Sequence, residues 1–444
     1  MHTRKLLAAA VTLALGAPAT AAAGDGAELE QIRAEIRQLK ETYEARIRAL
    51  EARLQQAEAA TPLEPAAPPP AAASSANAFN PAVSLILSGT YANLSQDPAN
   101  YRITGFIPGG EIGPGKRGFS LAESELAVSA NIDPYFYGYL TLALSPENTV
   151  GVEEAAIQTT ALGRGLTAKA GRFYSGIGYL NEQHPHSWDF VDAPLAYKAF
   201  LVRQYGNDGA QVKWLAPTDT FLELGAEAGQ GGNFPGSERN KNGVGSYALF
   251  GHLGGDVGAS HSWRAGLSYL DASPRTRAHD DLNIAGAPVR NTFTGTSKLW
   301  IADFVWKWAP EGNPARTHFK LQGEYFRRTE NGDFTYSAAT TGHYVSTQSG
   351  WYAQGAYQFM PRWRAGARLD RLDSGSVDYG INSANLPARS YRPSRYSLMF
   401  DYAPSEYSRL RLQLARDRSH EGVADNQMFL QYIMSLGAHG AHKF

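Results

Sequence analysis

Two histidines and two aspartates lie close together in one connecting segment of the chain. His184 and His186 are two residues apart, and Asp189 and Asp192 follow them. In extended backbone, residues two apart point to the same side, and imidazole with carboxylate is a suitable ligand set for zinc. The spacing therefore predicts a zinc site. The alternative is that the histidines pack or hydrogen-bond in a folded loop, because short histidine motifs often occur without metal.

Charged residues also recur at strand positions of one parity, acidic ones first and basic ones later. They are Glu123, Glu125, Glu223 and Glu227, followed by Lys307, Lys320, Arg364, Arg368, Arg395, Arg409 and Arg411. If these strands close into a barrel, an acidic arc and a basic arc line a pore, and such rings of charge set ion preference. The alternative is that these residues pair across adjacent strands and only hydrate the wall.

The later arginines favour a role toward a solute. Like charges on neighbouring strands repel each other unless something anionic is nearby. We therefore expect a mild anion preference that depends on Arg364, Arg368 and Arg409.

The sequence does not indicate an enzyme. No spacing singles out a nucleophile, and the many serines and histidines make accidental pairs common. Cysteine is absent, which excludes disulfides and thiolate chemistry. The formal net charge of −1 gives no reason to expect a nucleic-acid partner. We predict no catalysis and no cofactor, with zinc considered only as a transported ligand.

An alternation of apolar and polar residues must position these groups. Near the C-terminus, Met428, Leu430, Tyr432 and Met434 fall on one face, and Gln431 falls on the other. Such strands place lipid-facing and lumen-facing residues in turn. About sixteen segments of this kind fill residues 78–444. They predict an all-β transmembrane barrel of about 16 antiparallel strands.

The connections between these segments alternate in length. Short turns separate mostly longer stretches, as periplasmic turns and extracellular loops do in such barrels. The longer stretches are residues 95–117, 174–207, 230–245, 272–296, 329–347 and 373–392. The longest, 174–207, carries the two histidines and two aspartates.

The chain before the barrel reads as three segments. Residues 1–23 have the charged start, short apolar run and small-residue cleavage site of a signal peptide. Residues 24–60 carry an apolar stripe of three-four spacing, which predicts an α-helical coiled coil for oligomerisation. A solvated charged helix is the alternative. Residues 61–77 form a Pro/Ala-rich linker.

Several motifs resemble known outer-membrane families. A signal peptide, a coiled coil, a linker and a barrel resemble trimeric porins of the phosphate-selective and dicarboxylate-channel type. Residues 78–81, 89–94, 129–134 and 181–186 are similar to a proteobacterial group labelled zinc-regulated or TonB-dependent outer-membrane receptors. The resemblance implies the outer membrane of a Gram-negative cell, a periplasmic N-terminal segment, a homotrimer, and a long loop folded into the lumen.

The size of the barrel decides between these families. A TonB-dependent transporter has a plugged barrel of about 22 strands, and this chain is too short for one. We therefore expect an unplugged porin that passes small hydrophilic solutes or ions by diffusion. The alternative is a zinc-acquisition receptor that captures metal through the loop histidines.

Overall fold

The computed structural model describes residues 81–437 except Arg239, Lys241 and Pro387. The predicted signal peptide (1–23), coiled coil (24–60) and linker (61–77) lie outside the described residues. So do residues 438–444.

The described residues form one antiparallel sheet of eighteen strand segments. In chain order these are β1 (Ala82–Leu94), β2 (Gly118–Leu121), β3 (Ser124–Asn131), β4 (Phe136–Leu144), β5 (Val150–Thr159), β6 (Leu166–Tyr174), β7 (Gly206–Leu215), β8 (Phe221–Gly229), β9 (Ser246–Val257), β10 (His261–Ala272), β11 (Arg277–Leu282), β12 (Pro288–Trp308), β13 (His318–Tyr336), β14 (Thr340–Met360), β15 (Trp363–Asp378), β16 (Ser394–Ser405), β17 (Ser408–Arg418) and β18 (Asp425–Gly437).

The sheet closes on itself because its first and last strands pair. The register of β1 with β18 runs from Ser84 opposite Gly437 to Leu94 opposite Gln427. Two strands of the barrel are each divided into two segments. The segments β2 and β3 both pair with β1, and the segments β10 and β11 both pair with β12. The wall is therefore a closed barrel of sixteen strands, which confirms the predicted fold class.

The two faces of the wall follow the alternation in the sequence. On β18, Leu430 is 51% exposed and Met434 50%, whereas Ile433 between them is 6% exposed. The outward residues are large and apolar on nearly every strand, an arrangement that is stable only where the barrel exterior meets lipid.

Three predicted loops are wrong in part, one of them 373–392, because β15 continues to Asp378. Residues 329–347 are mostly strand, because β13 continues to Tyr336 and β14 begins at Thr340. Residues 272–296 contain β11 and the start of β12. Cross-strand hydrogen bonds satisfy the backbone beyond the lipid as well as within it, so pairing continues where the sequence turns polar.

The longest connection, between β6 and β7, contains a short helix, α1 (Leu195–Leu201), all of whose residues are buried. Val202, with a φ of 65°, ends it. The helix contacts β13, β14 and β15. Among the described residues, no helix has both the length and the apolar character needed to cross a bilayer.

Candidate functional site: a loop between two charged walls

The candidate site is built around the connection of residues 175–205, here called the loop. Its first turn binds glutamates that point into the barrel. The amide of Gly176 donates to Glu227 (2.8 Å), and the amides of Tyr179 and Leu180 donate to Glu324 (3.1 and 3.0 Å). Glu227 also accepts from Gln211. These bonds hold the start of the loop against the inner faces of β8 and β13.

The middle of the loop contacts a set of glutamates that we call the acidic wall. It consists of Glu123, Glu125, Glu153 and Glu154, which lie beside or on β3 and β5. His186 Nδ1 is 2.9 Å from Glu125 Oε1. Arg203 donates to both oxygens of Glu123 (2.6 and 2.8 Å). Like Glu227, the sequence-predicted Glu123 and Glu125 therefore hold the loop.

His184 lies among three of these carboxylates. Its Nε2 is 3.0 Å from Glu154 Oε2, and its Nδ1 is 3.1 Å from Glu125 Oε2 and 3.3 Å from Glu153 Oε2. Burial by itself lowers the pKa of His184, but the carboxylates outweigh it and raise that pKa well above its ordinary value. The three carboxylates therefore stabilise the protonated form of the imidazole.

Sequence reasoning missed Glu153 and Glu154. On a regular strand two successive side chains point to opposite faces, so only one of them could reach the lumen. The pairing of β4 with β5 shifts between Thr141 opposite Glu154 and Leu142 opposite Val152. This β-bulge leaves Glu153 as an extra residue and redirects its side chain, so both carboxylates meet the loop.

The next part of the loop contacts the opposite side of the barrel. We call this set of cations the basic wall, and it consists of Lys320, Arg364, Arg368, Arg395, Arg409 and Arg411. Asp189 is 2.6 Å from Lys320 and 3.0 Å from Arg364. Burial tends to raise the pKa of Asp189, but these two cations dominate and lower it.

Asp192 is the most shared anion of the loop. It pairs with Arg395, with Lys198 of α1 (3.0 Å) and with Arg368 (3.0 Å). Burial raises its pKa, but Arg395, Lys198 and Arg368 lower it well below the ordinary range. A carboxylate with three cationic partners fixes α1 to β15 and β16.

Arg409, Arg411 and Glu223, which the sequence also predicted to line the pore, have partners as well. Arg409 and Arg411 donate to the carbonyl of Trp188 (3.2 and 2.7 Å). Glu223 pairs with Lys213 (3.2 Å) and His252 (3.1 Å). Lys307 lies opposite Lys320 in the register of β12 and β13.

The four predicted zinc ligands are not brought together. His184 and His186 do share a side, with ring centroids 5.8 Å apart. Asp189 and Asp192 instead face the basic wall. The physical reason is charge. The cations of the basic wall are buried and would be destabilised without a counter-ion, and each aspartate supplies one.

An apolar cluster completes the attachment of the loop. Phe200 of α1 stacks on Phe326 of β13 (centroids 5.9 Å apart), and both side chains are fully buried. The hydroxyls of Tyr197 and Tyr352 donate to Glu324 (3.0 and 2.6 Å). The lumen-facing side of β13 and β14 is therefore a packed surface covered by α1.

The sequence of the chain is similar to that of another protein. No model of a known protein family matches the chain. An uncharacterized protein of Aquifex aeolicus (strain VF5) is 32% identical over 395 residues, covering 83% of this chain and 81% of that protein.

Solved structures of outer-membrane proteins are similar in fold. A loop L8 deletion mutant of OmpT, an outer membrane protein of Vibrio cholerae, matches with a TM-score of 0.50 and 10% identity, covering 80% of this chain and 99% of that one. An anion-selective porin from Comamonas acidovorans has a TM-score of 0.49 at 10% identity, with coverage of 80% and 99%. The chain belongs to the family of the Aquifex aeolicus protein, and its fold is that of an outer-membrane β-barrel.

Proposed function

We propose that the protein is a porin through which small hydrophilic solutes or ions diffuse passively across the outer membrane. A closed barrel with an apolar exterior and a charged interior supports this function. The observation that carries it is the loop, which is tied to the acidic wall through His184 and to the basic wall through Asp189 and Asp192.

The loop is proposed to narrow the lumen. Between His184 and Asp192 the chain passes from β3 and β5 to β13, β15 and β16, because its side chains contact both sets of strands. A segment attached on two sides of the lumen leaves a smaller opening beside it. That opening would select solutes by size, and the adjacent charges would select them by sign.

Diffusion of uncharged sugars tests the porin function. We expect liposomes containing the purified protein to swell in isotonic solutions of small sugars, and to swell more slowly as the sugar becomes larger. Liposomes prepared without the protein are the control. If the two preparations swell at the same rate with every sugar, passive diffusion through this barrel is excluded.

The preference of the pore for anions is expected to be mild. The basic wall is partly neutralised by loop and strand carboxylates, among them Asp401, which pairs with Arg364 and Arg411. Replacing Arg364, Arg368 and Arg409 together by glutamine should shift the reversal potential in a salt gradient toward cations, because positive charge is removed along the path. Arg290→Gln is the control, since that side chain is 70% exposed at its pair with Asp280. An unchanged reversal potential in the triple variant would exclude a role for these arginines in selectivity.

We further propose a homotrimer with the N-terminal segment in the periplasm, on the basis of the resemblance and of the apolar stripe in residues 24–60. Energy coupling and catalysis are not part of the proposed function. The alternative, zinc capture by His184, His186, Asp189 and Asp192 acting together, has less support because the aspartates contact the opposite wall.

A further inference from the structure

Three ligand-type atoms converge where the loop meets the acidic wall. One nitrogen of His184 and one oxygen each of Glu125 and Glu153 lie within 4.8 Å of one another. The Nδ1 of His184 and the Oε2 of Glu153 are buried and lie 3.3 Å apart, but within the described part of the chain neither makes a hydrogen bond of ordinary geometry. Buried polar atoms normally make well-formed hydrogen bonds, and an ion between these three atoms would engage all of them.

The other polar atom of each side chain is already engaged. Glu154 lies 3.0 Å from His184 Nε2, Tyr174 donates its hydroxyl to Glu153 Oε1 (2.9 Å), and His186 Nδ1 is 2.9 Å from Glu125 Oε1. Outer partners of this kind orient the ligands of metal sites, and a ligating histidine almost always donates its other ring N–H to a carboxylate, a backbone carbonyl or water. Because Glu154 engages Nε2 of His184, the Nδ1 atom can bind an ion once Nδ1 has lost its proton.

The distances suit a small ion. Zinc bound at about 2.0–2.1 Å by nitrogen and oxygen in tetrahedral geometry places its ligands about 3.3 Å from each other. His184 Nδ1 is 3.1 Å from Glu125 Oε2 and 3.3 Å from Glu153 Oε2. One imidazole with two carboxylates favours Zn²⁺ or Co²⁺ over Mg²⁺ and Ca²⁺, which prefer all-oxygen sites with more ligands.

We propose that Glu125, Glu153 and His184 bind a divalent first-row transition-metal ion that joins the loop to β3 and β5. The ion takes the place of the proton on His184 Nδ1, which is released to water. Glu154 and His186 are positioning residues for this site. The ion spans two wall strands and the loop, so it would hold the loop in place. An effect of the ion on conductance rests on the proposed porin function, whereas metal binding itself does not.

Cobalt titration of the purified full chain tests the site. With metal-stripped, tag-free protein in detergent, we expect Co²⁺ to give the visible absorption of a tetrahedral complex at one ion per chain, and Zn²⁺ to abolish it. His184→Asn and Glu153→Gln should each weaken Co²⁺ binding at least tenfold. Glu153→Gln is nearly isosteric, so it keeps the contact with Tyr174 and serves as the variant least disturbing to folding.

His261→Asn is the matched control, since this histidine lies at the start of β10 and stacks on Trp306. It should bind Co²⁺ as the unaltered chain does. Equal Co²⁺ affinity in the unaltered chain, His184→Asn and Glu153→Gln would overturn the proposal, and so would the absence of saturable binding. Conductance measurements on the same protein separate the two proposals. A protein that binds Co²⁺ but does not conduct would support the metal site and contradict the porin function.

Discussion

Replacing Asp192 by asparagine is expected to release the loop from the basic wall and to raise the conductance of the channel. Asp192 is the shared counter-ion of Lys198, Arg368 and Arg395, and the two arginine side chains are almost completely buried. Removing one partner of a buried ion pair costs about 3–5 kcal/mol, because the remaining charge is left without compensation. Single-channel recordings should show a larger conductance and a reversal potential shifted toward anions.

Asp280→Asn is the matched control for this substitution. Asp280 also pairs with an arginine, Arg290, but the two side chains are 74% and 70% exposed. Exposed pairs contribute about 0–1 kcal/mol, so this variant should conduct as the unaltered chain does. If Asp192→Asn left both conductance and reversal potential unchanged, the loop would not depend on the basic wall.

Replacing Phe200 by alanine is expected to weaken the apolar attachment of the loop. Phe200 is fully buried between Phe326 and the guanidinium of Arg328, which lies 5.2 Å from its ring. Large-to-small substitutions of buried phenylalanine cost about 3–5 kcal/mol. Because the loss falls on the docking of α1 and not on the strand pairing, amide hydrogen exchange in Leu195–Leu201 should accelerate by about two to three orders of magnitude.

Phe119→Ala provides the comparison, since Phe119 is 89% exposed on β2. Exchange in α1 should stay unchanged in that variant, and exchange in the strands should stay slow in both. Unaltered protection of α1 in Phe200→Ala would show that the packing of this ring does not hold the loop.

The fold was largely predictable because its main signal is local. A period of two residues identifies each strand and its outward face, as for Leu430 and Met434, and the number of segments gives the size of the barrel. The ends of β13 and β14 were harder to place. Beyond the lipid both faces become polar, so the alternation ends before the hydrogen-bonded ladder does.

The candidate site was predictable only in its composition. Parity placed the charged residues on one face of each strand, but it does not say which residues they meet. Asp192 and Arg395 are 203 positions apart, and no local pattern joins them. Counter-ions on the same strand could have been predicted from the sequence. Asp370, for example, follows Arg368 by two positions and therefore lies on the same face of the strand.

The acidic wall shows a different limit. The rings of His184 and His186 lie side by side, but a 3-10 turn at Pro185–Ser187 produces this arrangement, not the extended backbone that the sequence prediction assumed. Their carboxylate partners could not be found by spacing, because the bulge at Glu153 breaks the parity rule on β5. Irregular backbone of this kind is common next to functional sites.

Single-channel conductance of a loop variant tests most directly whether the loop borders the path of solutes. Residues 184–192 would be replaced by a glycine–serine linker of equal length, which removes the contacts of this segment to both walls and keeps α1, the contacts of Glu324 and the pair of Arg203 with Glu123. With both proteins folded in the same bilayers, discrete conductance steps are expected for the unaltered chain and larger ones for the variant. Steps of equal size in the two proteins would contradict a loop that narrows the lumen.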